Sequence, residues 1–247
     1  YVVALLRIRQ TVEEQWNTLS PDFVQLIKGY VAGLNAYAAA HPKEVEYKQA
    51  FPFDEKEYIT AVVFSTSLFC GVDAILPKIM DGKVATLPNF KPEGSNAFAM
   101  NSRKTTTGET FLAINAHQPL EGPVAFYEAH LQSEQGWNML GGLFPGGCLI
   151  FHGTNENLGW AHTVNYQDKL DVYQLEMNPA DNDQYKFDGQ WLKLEEDKVS
   201  LHVKGVPIAI GKKIYWSKYG ATVKTDKGVF ALRVPATMDI RALEQWY

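Results

Sequence analysis

The sequence predicts an α+β fold, and three observations predict it. Apolar residues recur with a helical period through the first third of the chain. From Ser95 onward the pattern changes to short β-rich runs separated by Gly, Asn and Asp turns. Between the two lies a stretch broken by Pro77, Pro88, Pro92, Gly82 and Gly94. Helices first and strands afterwards, without βαβ alternation, is the order of an α+β protein.

The first helix is predicted from Tyr1, Leu5, Ile8, Val12, Trp16 and Leu19, whose spacings of three and four place them on one buried face. A second starts at Ser20 as N-cap with Pro21 in the first helical position. Its stripe is Phe23, Leu26, Ile27, Tyr30, Val31, Leu34 and Tyr37, and it ends at His41 because Pro42 disfavours helix in the residue before it. A third opens on Asp54 and runs through "EKEYITAVVFSTSLFC", apolar nearly all round after Tyr58 and so expected to be buried. Strands are expected at "TFLAIN", "CLIFH", "DVYQLEM", "VSLHV", "KIYWSK" and "GVFALRV", with a hairpin turning on Asp188-Gly189. The resulting division is a helical segment 1–76, a connector 77–94 and a β segment 95–247.

The 247 residues are 46% hydrophobic, enough for a sizeable core, and disorder does not fit that content. A net charge of −5 advertises neither nucleic acid nor an anionic membrane as partner. No apolar run reaches the length of a membrane span. Two cysteines, Cys70 and Cys148, make no disulfide framework, and Cys148 reads as a small buried residue. Both ends fall inside periodic segments, so a piece of a longer protein is expected.

"SNAFAMN" and "TFLAINA" read as two strands joined by the loop "SRKTTTGE". Antiparallel pairing then opposes residues whose numbers sum to about 211 or 212, which sets Ser95 across from Ala116 or His117. Directly opposed side chains lie roughly 4.5–5.5 Å apart at Cβ. Ala97 and Ala99 share the Ser95 face and leave room beside it. A hairpin of ordinary core residues satisfies the same pattern, and "EGSNA" is not the G-x-S-x-G elbow of other serine hydrolases.

"EGSNAFAMNSRKTTTGETFLAINAHQP", "FYEAHL", "LGGLFPGG", "FHGTNENLGWAHTVN" and "DKLDVYQLEMNP" follow one another between residues 93 and 179. Together they resemble the penicillin acylase family of N-terminal nucleophile hydrolases, in its aculeacin and acyl-homoserine lactone acylase branch. "GYVAGLNAYAAAHP" and "FPFDEKEY" are similar to the α-chain helices of that family, whereas 181–247 carry no distinctive motif. The resemblance implies a four-layer αββα fold, incomplete here, and an amidohydrolase that cuts linear amides through an acyl-enzyme. It implies self-cleavage between Gly94 and Ser95, which frees an α-amine to act as base for the Ser95 hydroxyl.

By the same resemblance His117 is a catalytic-site histidine and the Val164 backbone N–H an oxyanion donor. A second donor belongs to the remainder of the precursor beyond residue 247. Asp168 and Asp171 resemble calcium-binding aspartates, so the one cofactor implied is a structural Ca²⁺, with none for the chemistry. The implied partner is a small acylated amine, and the implied location periplasmic or exported.

Trp137, Phe144, Phe151, Trp160 and Phe98 are candidates for an acyl pocket, with "LFPGGCLIFHG" as its wall. His130, His152 and His162 show no ligand spacing and read as core or surface residues. Two rival readings stand beside the acylase. One is a non-catalytic β-rich module binding sugars or peptides through exposed aromatics. The other is a Cys148 nucleophile paired with His152.

Overall fold

A computed structural model describes residues 1–83, 94–122, 124–165, 167–203 and 205–247. It contains helices first and antiparallel strands afterwards, and divides into two compact units. One unit comprises Tyr1–Asn89 and Asp168–Glu244; the other comprises Phe90–Gln167 and Gln245–Tyr247. The second boundary therefore cuts the predicted β segment at Asp168. Most of the predicted connector, residues 84–93, lies outside the described residues.

In the first unit the helices are α1 (Val2–Leu5), α2 (Ile8–Gln15), α3 (Pro21–Ala40), α4 (Glu55–Leu68) and α5 (Val72–Met80). The single helix expected over residues 1–19 is broken. Arg7 adopts the left-handed region at φ 51°, between α1 and α2. Distant partners hold it there: its guanidinium pairs with Glu195 at 2.7 Å and lies 4.5 Å from the Trp216 ring. The Trp216 indole N–H meanwhile donates to the Leu5 carbonyl at 2.6 Å.

α3 begins as its sequence dictates, with the Ser20 hydroxyl accepting the Phe23 N–H. α4 carries a full capping box: Asp54 accepts the Glu57 N–H while the Glu57 side chain accepts the Asp54 N–H. It is buried along one stripe (Tyr58, Ile59, Val63, Ser67), not all round, and Phe69 just past its end is exposed.

α5 overturns the expectation that the connector begins at residue 77. Val72, Ile75, Leu76 and Ile79 are all buried at helical spacing, on either side of Pro77. Burying each such side chain is worth roughly 1.5–3 kcal/mol. Their sum exceeds the cost of about 3 kcal/mol for a proline inside a helix.

Strands β1–β14 follow: β1 (Asn96–Met100), β2 (Phe111–Asn115), β3 (Tyr127–Gln132), β4 (Asn138–Leu143), β5 (His152–Thr154), β6 (Gly159–Trp160), β7 (Asp171–Gln174), β8 (Met177–Asn178), β9 (Asp181–Phe187), β10 (Gln190–Lys193), β11 (Glu195–Leu201), β12 (Ile210–Ser217), β13 (Gly220–Thr225) and β14 (Gly228–Arg233). The first unit holds a five-stranded sheet, β11-β12-β13-β14-β7, and a three-stranded one, β10-β9-β8. Its interior is set by Leu5, Ile8, Phe23, Ile27, Ile59, Ile79, Leu232 and Ile240, all at most 1% exposed. Asp188 and Gly189 make the β9–β10 turn with φ of 46° and 78°, the left-handed pair that such a tight hairpin requires.

The second unit holds the ribbon β1-β2 and a four-stranded antiparallel sheet, β3-β4-β5-β6. β5 begins only at His152, so most of the strand expected at "CLIFH" is irregular. Gly141 and Gly153 face one another across β4 and β5. A Cβ on Gly141 would sit 1.9 Å from the His152 carbonyl oxygen, and one on Gly153 2.3 Å from that of Leu140. Only glycine allows this approach. Among the described residues no single helix is long and apolar enough to cross a membrane.

Candidate active site

The ribbon pairs Asn96 with Asn115, Ala97 with Ile114 and Ala99 with Leu112, so opposed numbers sum to 211, one of the two registers expected. Continued by one residue, it sets Ser95 across from Ala116. Ser95 heads β1, half-buried, and its Oγ accepts the backbone N–H of His117 at 3.2 Å.

The His117 imidazole lies elsewhere. Its Nε2 is 3.2 Å from the Asn96 carboxamide nitrogen and 3.1 Å from that of Asn115. Carboxamide nitrogens only donate, so Nε2 is the acceptor and the ring proton sits on Nδ1. The expectation of an imidazole beside the serine is corrected here, and strand alternation is the reason. Asn96, Asn115 and His117 share one face of the ribbon; Ser95, Ala97 and Ala99 share the other. What His117 presents to Ser95 is its main chain.

The Ser95 face is also the cavity face. A cavity of about 820 Å³ in the second unit is lined by Leu112, Ile114 and Ala116 from the β2 side and by Phe126, Leu140 and His152 opposite, among others. That volume suits a small organic ligand. Of the predicted wall, residues 143–153, only His152 and Gly153 line it; Gly141 and Gly142, which also line it, precede that stretch, and Gly146 and Gly147 stay outside. The five predicted aromatics do not line it. Phe144 and Phe151 pack with Phe126, Trp137 lies against Tyr247, the Trp160 indole donates to the Ile150 carbonyl, and Phe98 is exposed.

Val164 lies in the irregular segment after β6, half-buried. Its amide is not a rung of any ladder, and no acceptor among the described residues takes it. Asp168 is exposed, and Asp171, exposed in β7, accepts the Tyr173 hydroxyl at 3.3 Å. Among the described residues no three His, Cys, Asp or Glu side chains cluster as a metal site would require. Two carboxylates fall short of the six to eight oxygens that Ca²⁺ takes, so these residues do not form its site by themselves.

Cys148 is buried, as a small core residue should be. His152 Nδ1 is engaged by the His162 backbone N–H at 3.1 Å. His130 lies on the exposed side of β3, 2.7 Å from the Asn138 carboxamide oxygen.

The sequence profile of penicillin amidase matches residues 1–247. The chain belongs to the penicillin amidase family. Acyl-homoserine lactone acylase PvdQ of Pseudomonas syringae pv. tomato is 28% identical over 278 aligned positions, covering 98% of this chain and 36% of the relative. Aculeacin-A acylase of Actinoplanes utahensis is 26% identical over 127 positions, covering 51% of this chain and 16% of its own length. The thermostable penicillin G acylase of Alcaligenes faecalis shares the fold, with a TM-score of 0.53, 24% identity, and coverage of 62% of this chain and 28% of that one. This penicillin amidase family member thus spans about a third of the PvdQ relative (36%).

Proposed function

We propose that the full-length protein is an acylase that hydrolyses a linear amide, with Ser95 as an N-terminal nucleophile released by cleavage after Gly94. The observation that carries this reading is the position of Ser95. It heads β1, its Oγ receives the His117 N–H, and its ribbon face lines a cavity able to hold an acyl group.

The residues suggest a sequence of steps. Cleavage of the Gly94–Ser95 bond leaves Ser95 with a free amine, whose ordinary pKa of about 7.7–8.0 lets it accept the hydroxyl proton near neutrality. Oγ then bonds to the amide carbon, and the Val164 N–H stabilises the resulting oxyanion. Collapse breaks the C–N bond, and the Ser95 ammonium returns a proton to the departing amine. Water attacks the acyl ester, releases the carboxylic acid and restores the serine.

His117 acts in this reading as a positioning residue: Asn96 and Asn115 clamp its ring, and its N–H orients Oγ. A structural Ca²⁺ at Asp168 and Asp171 enters only with further ligands from the rest of the protein. So do a second oxyanion donor and the remaining strands of a four-layer αββα arrangement. Periplasmic or exported localisation is part of the proposal, and fractionation of native cells tests it.

Treatment of the purified full-length protein with phenylmethylsulfonyl fluoride, followed by peptide mapping, tests the assignment. A single adduct on Ser95 with loss of amide hydrolysis is expected. Activity that survives an unlabelled Ser95 but stops on alkylation of Cys148 by iodoacetamide would overturn it.

A further inference from the structure

His152 lines the cavity with one ring nitrogen engaged and the other open. Its Nδ1 accepts the backbone N–H of His162 at 3.1 Å. A backbone amide only donates, so Nδ1 carries the lone pair and the neutral ring holds its proton on Nε2. The residue is 7% exposed, with the Phe126 and Phe151 rings edge-on to it at centroid distances of 5.1 and 4.9 Å. Burial, and secondarily His162, push its pKa down to about 4, which keeps the ring neutral around pH 7. His162 is fixed in turn, because the Trp246 indole N–H donates to its Nε2 at 2.7 Å.

Among the described residues, no acceptor takes the His152 Nε2 proton, and no buried side-chain nitrogen or oxygen is left unsatisfied. Nε2 is therefore accessible, on a residue that lines the cavity. Apolar Leu112, Ile114, Phe126 and Leu140 line the same cavity, along with polar residues that include Glu128 and Asn157. The Thr154 hydroxyl nearby is already spent on the carbonyls of Asn155 and Leu158. A hydrocarbon chain in this cavity would strip water from the His152 N–H and give nothing back. Leaving such a donor unpaired is costly, whereas an oxygen at the right carbon would restore the bond.

We propose that His152 is a specificity-determining residue, a neutral donor that selects acyl chains carrying a carbonyl or hydroxyl oxygen over plain hydrocarbon chains of equal length. The proposal rests on the cavity being the acyl site of the acylase described above. It follows the logic by which a site built to hydrogen-bond an oxygen rejects the analogue lacking one.

The test is calorimetric binding to the full-length protein of octanoate and of octanoates bearing one hydroxyl or keto group at successive carbons. Amide turnover is followed separately on the matching acyl amides. One position along the chain should bind about ten-fold tighter than octanoate. In His152→Leu that advantage should vanish while octanoate binds at least as well; in His152→Gln, which keeps a donor, part of it should remain.

A flat series in the wild-type protein, or an optimum that survives His152→Leu, would overturn the proposal. Should His152→Leu fail to fold, His152→Phe preserves the ring packing and serves in its place. Positional binding without any amide turnover would support the donor role and remove the acylase reading. Turnover of plain amides with a flat binding series would do the reverse.

Discussion

In the unit formed by Tyr1–Asn89 and Asp168–Glu244, Phe23, Ile27, Ile59 and Ile79 are wholly buried. In the other unit every residue of both β1 and β2 is exposed, including Phe98, Met100, Phe111 and Ile114. Apolar burial holds the first region in place. The ribbon gains little from it, and an isolated two-stranded pair is marginal in water. Its geometry is held instead by hydrogen bonds: the ladder, the Asn96–His117–Asn115 contacts, and Thr105 Oγ1 donating to the Glu109 carbonyl at 2.8 Å. Stability is thus concentrated in one region and the candidate chemistry in the other, and substitutions in the two should separate accordingly.

Phe23→Ala gives the largest effect. It should cost about 3–5 kcal/mol of unfolding free energy, read from denaturant titration, while the folded fraction keeps its turnover number. Loss of turnover without loss of stability would erase the distinction between the regions.

Val164→Pro comes next, since it deletes the N–H proposed above as the oxyanion donor. The loss expected in kcat is about 10²–10³-fold, with thermal stability changed far less. Val164→Ala keeps the amide and should stay close to wild type; equal loss in both would remove the donor role.

Acid should act on the second unit through His152. Its folded pKa, about 4, lies below the ordinary 6.5, so the neutral ring's contribution is complete above pH 6.5. That contribution is lost as pH falls from there through 4. Burial lowers the His162 pKa as well, in the same direction. Hydrogen exchange followed down this range should show β3–β6 opening before α3 and α4, and His152→Phe should flatten the trend.

Asp54→Ala removes one half of a capping box and should cost about 1 kcal/mol of stability with activity unchanged. The smallest effect belongs to Asn96→Ala or Asn115→Ala. Each should lower kcat/KM by no more than about five-fold, by loosening the His117 main chain against Ser95, with Tm unmoved.

Local chemistry made much of this legible in the sequence. The Ser20 and Asp54 caps, the Asp188-Gly189 turn and the ladder arithmetic each depend on residues close along the chain. The same arithmetic, taken at a sum of 211, already puts His117 on the face away from Ser95 and pairs Asn96 with Asn115 as its clamp. Illegible features depend on distant partners. Arg7 breaks the first helix because Trp216 and Glu195 hold it. α5 continues through Pro77 because four aliphatic residues are buried around it. Phe126 lines the cavity in place of the expected aromatics, and Trp246 fixes His162 from the far end of the chain.

Intact-mass measurement of the full-length protein from its native source shows whether the Gly94–Ser95 bond is cut. Two polypeptides divided between residues 94 and 95 are expected, with a single uncleaved species from Ser95→Ala. A wild-type chain that hydrolyses amides while that bond stays whole would rule out Ser95 as an N-terminal nucleophile.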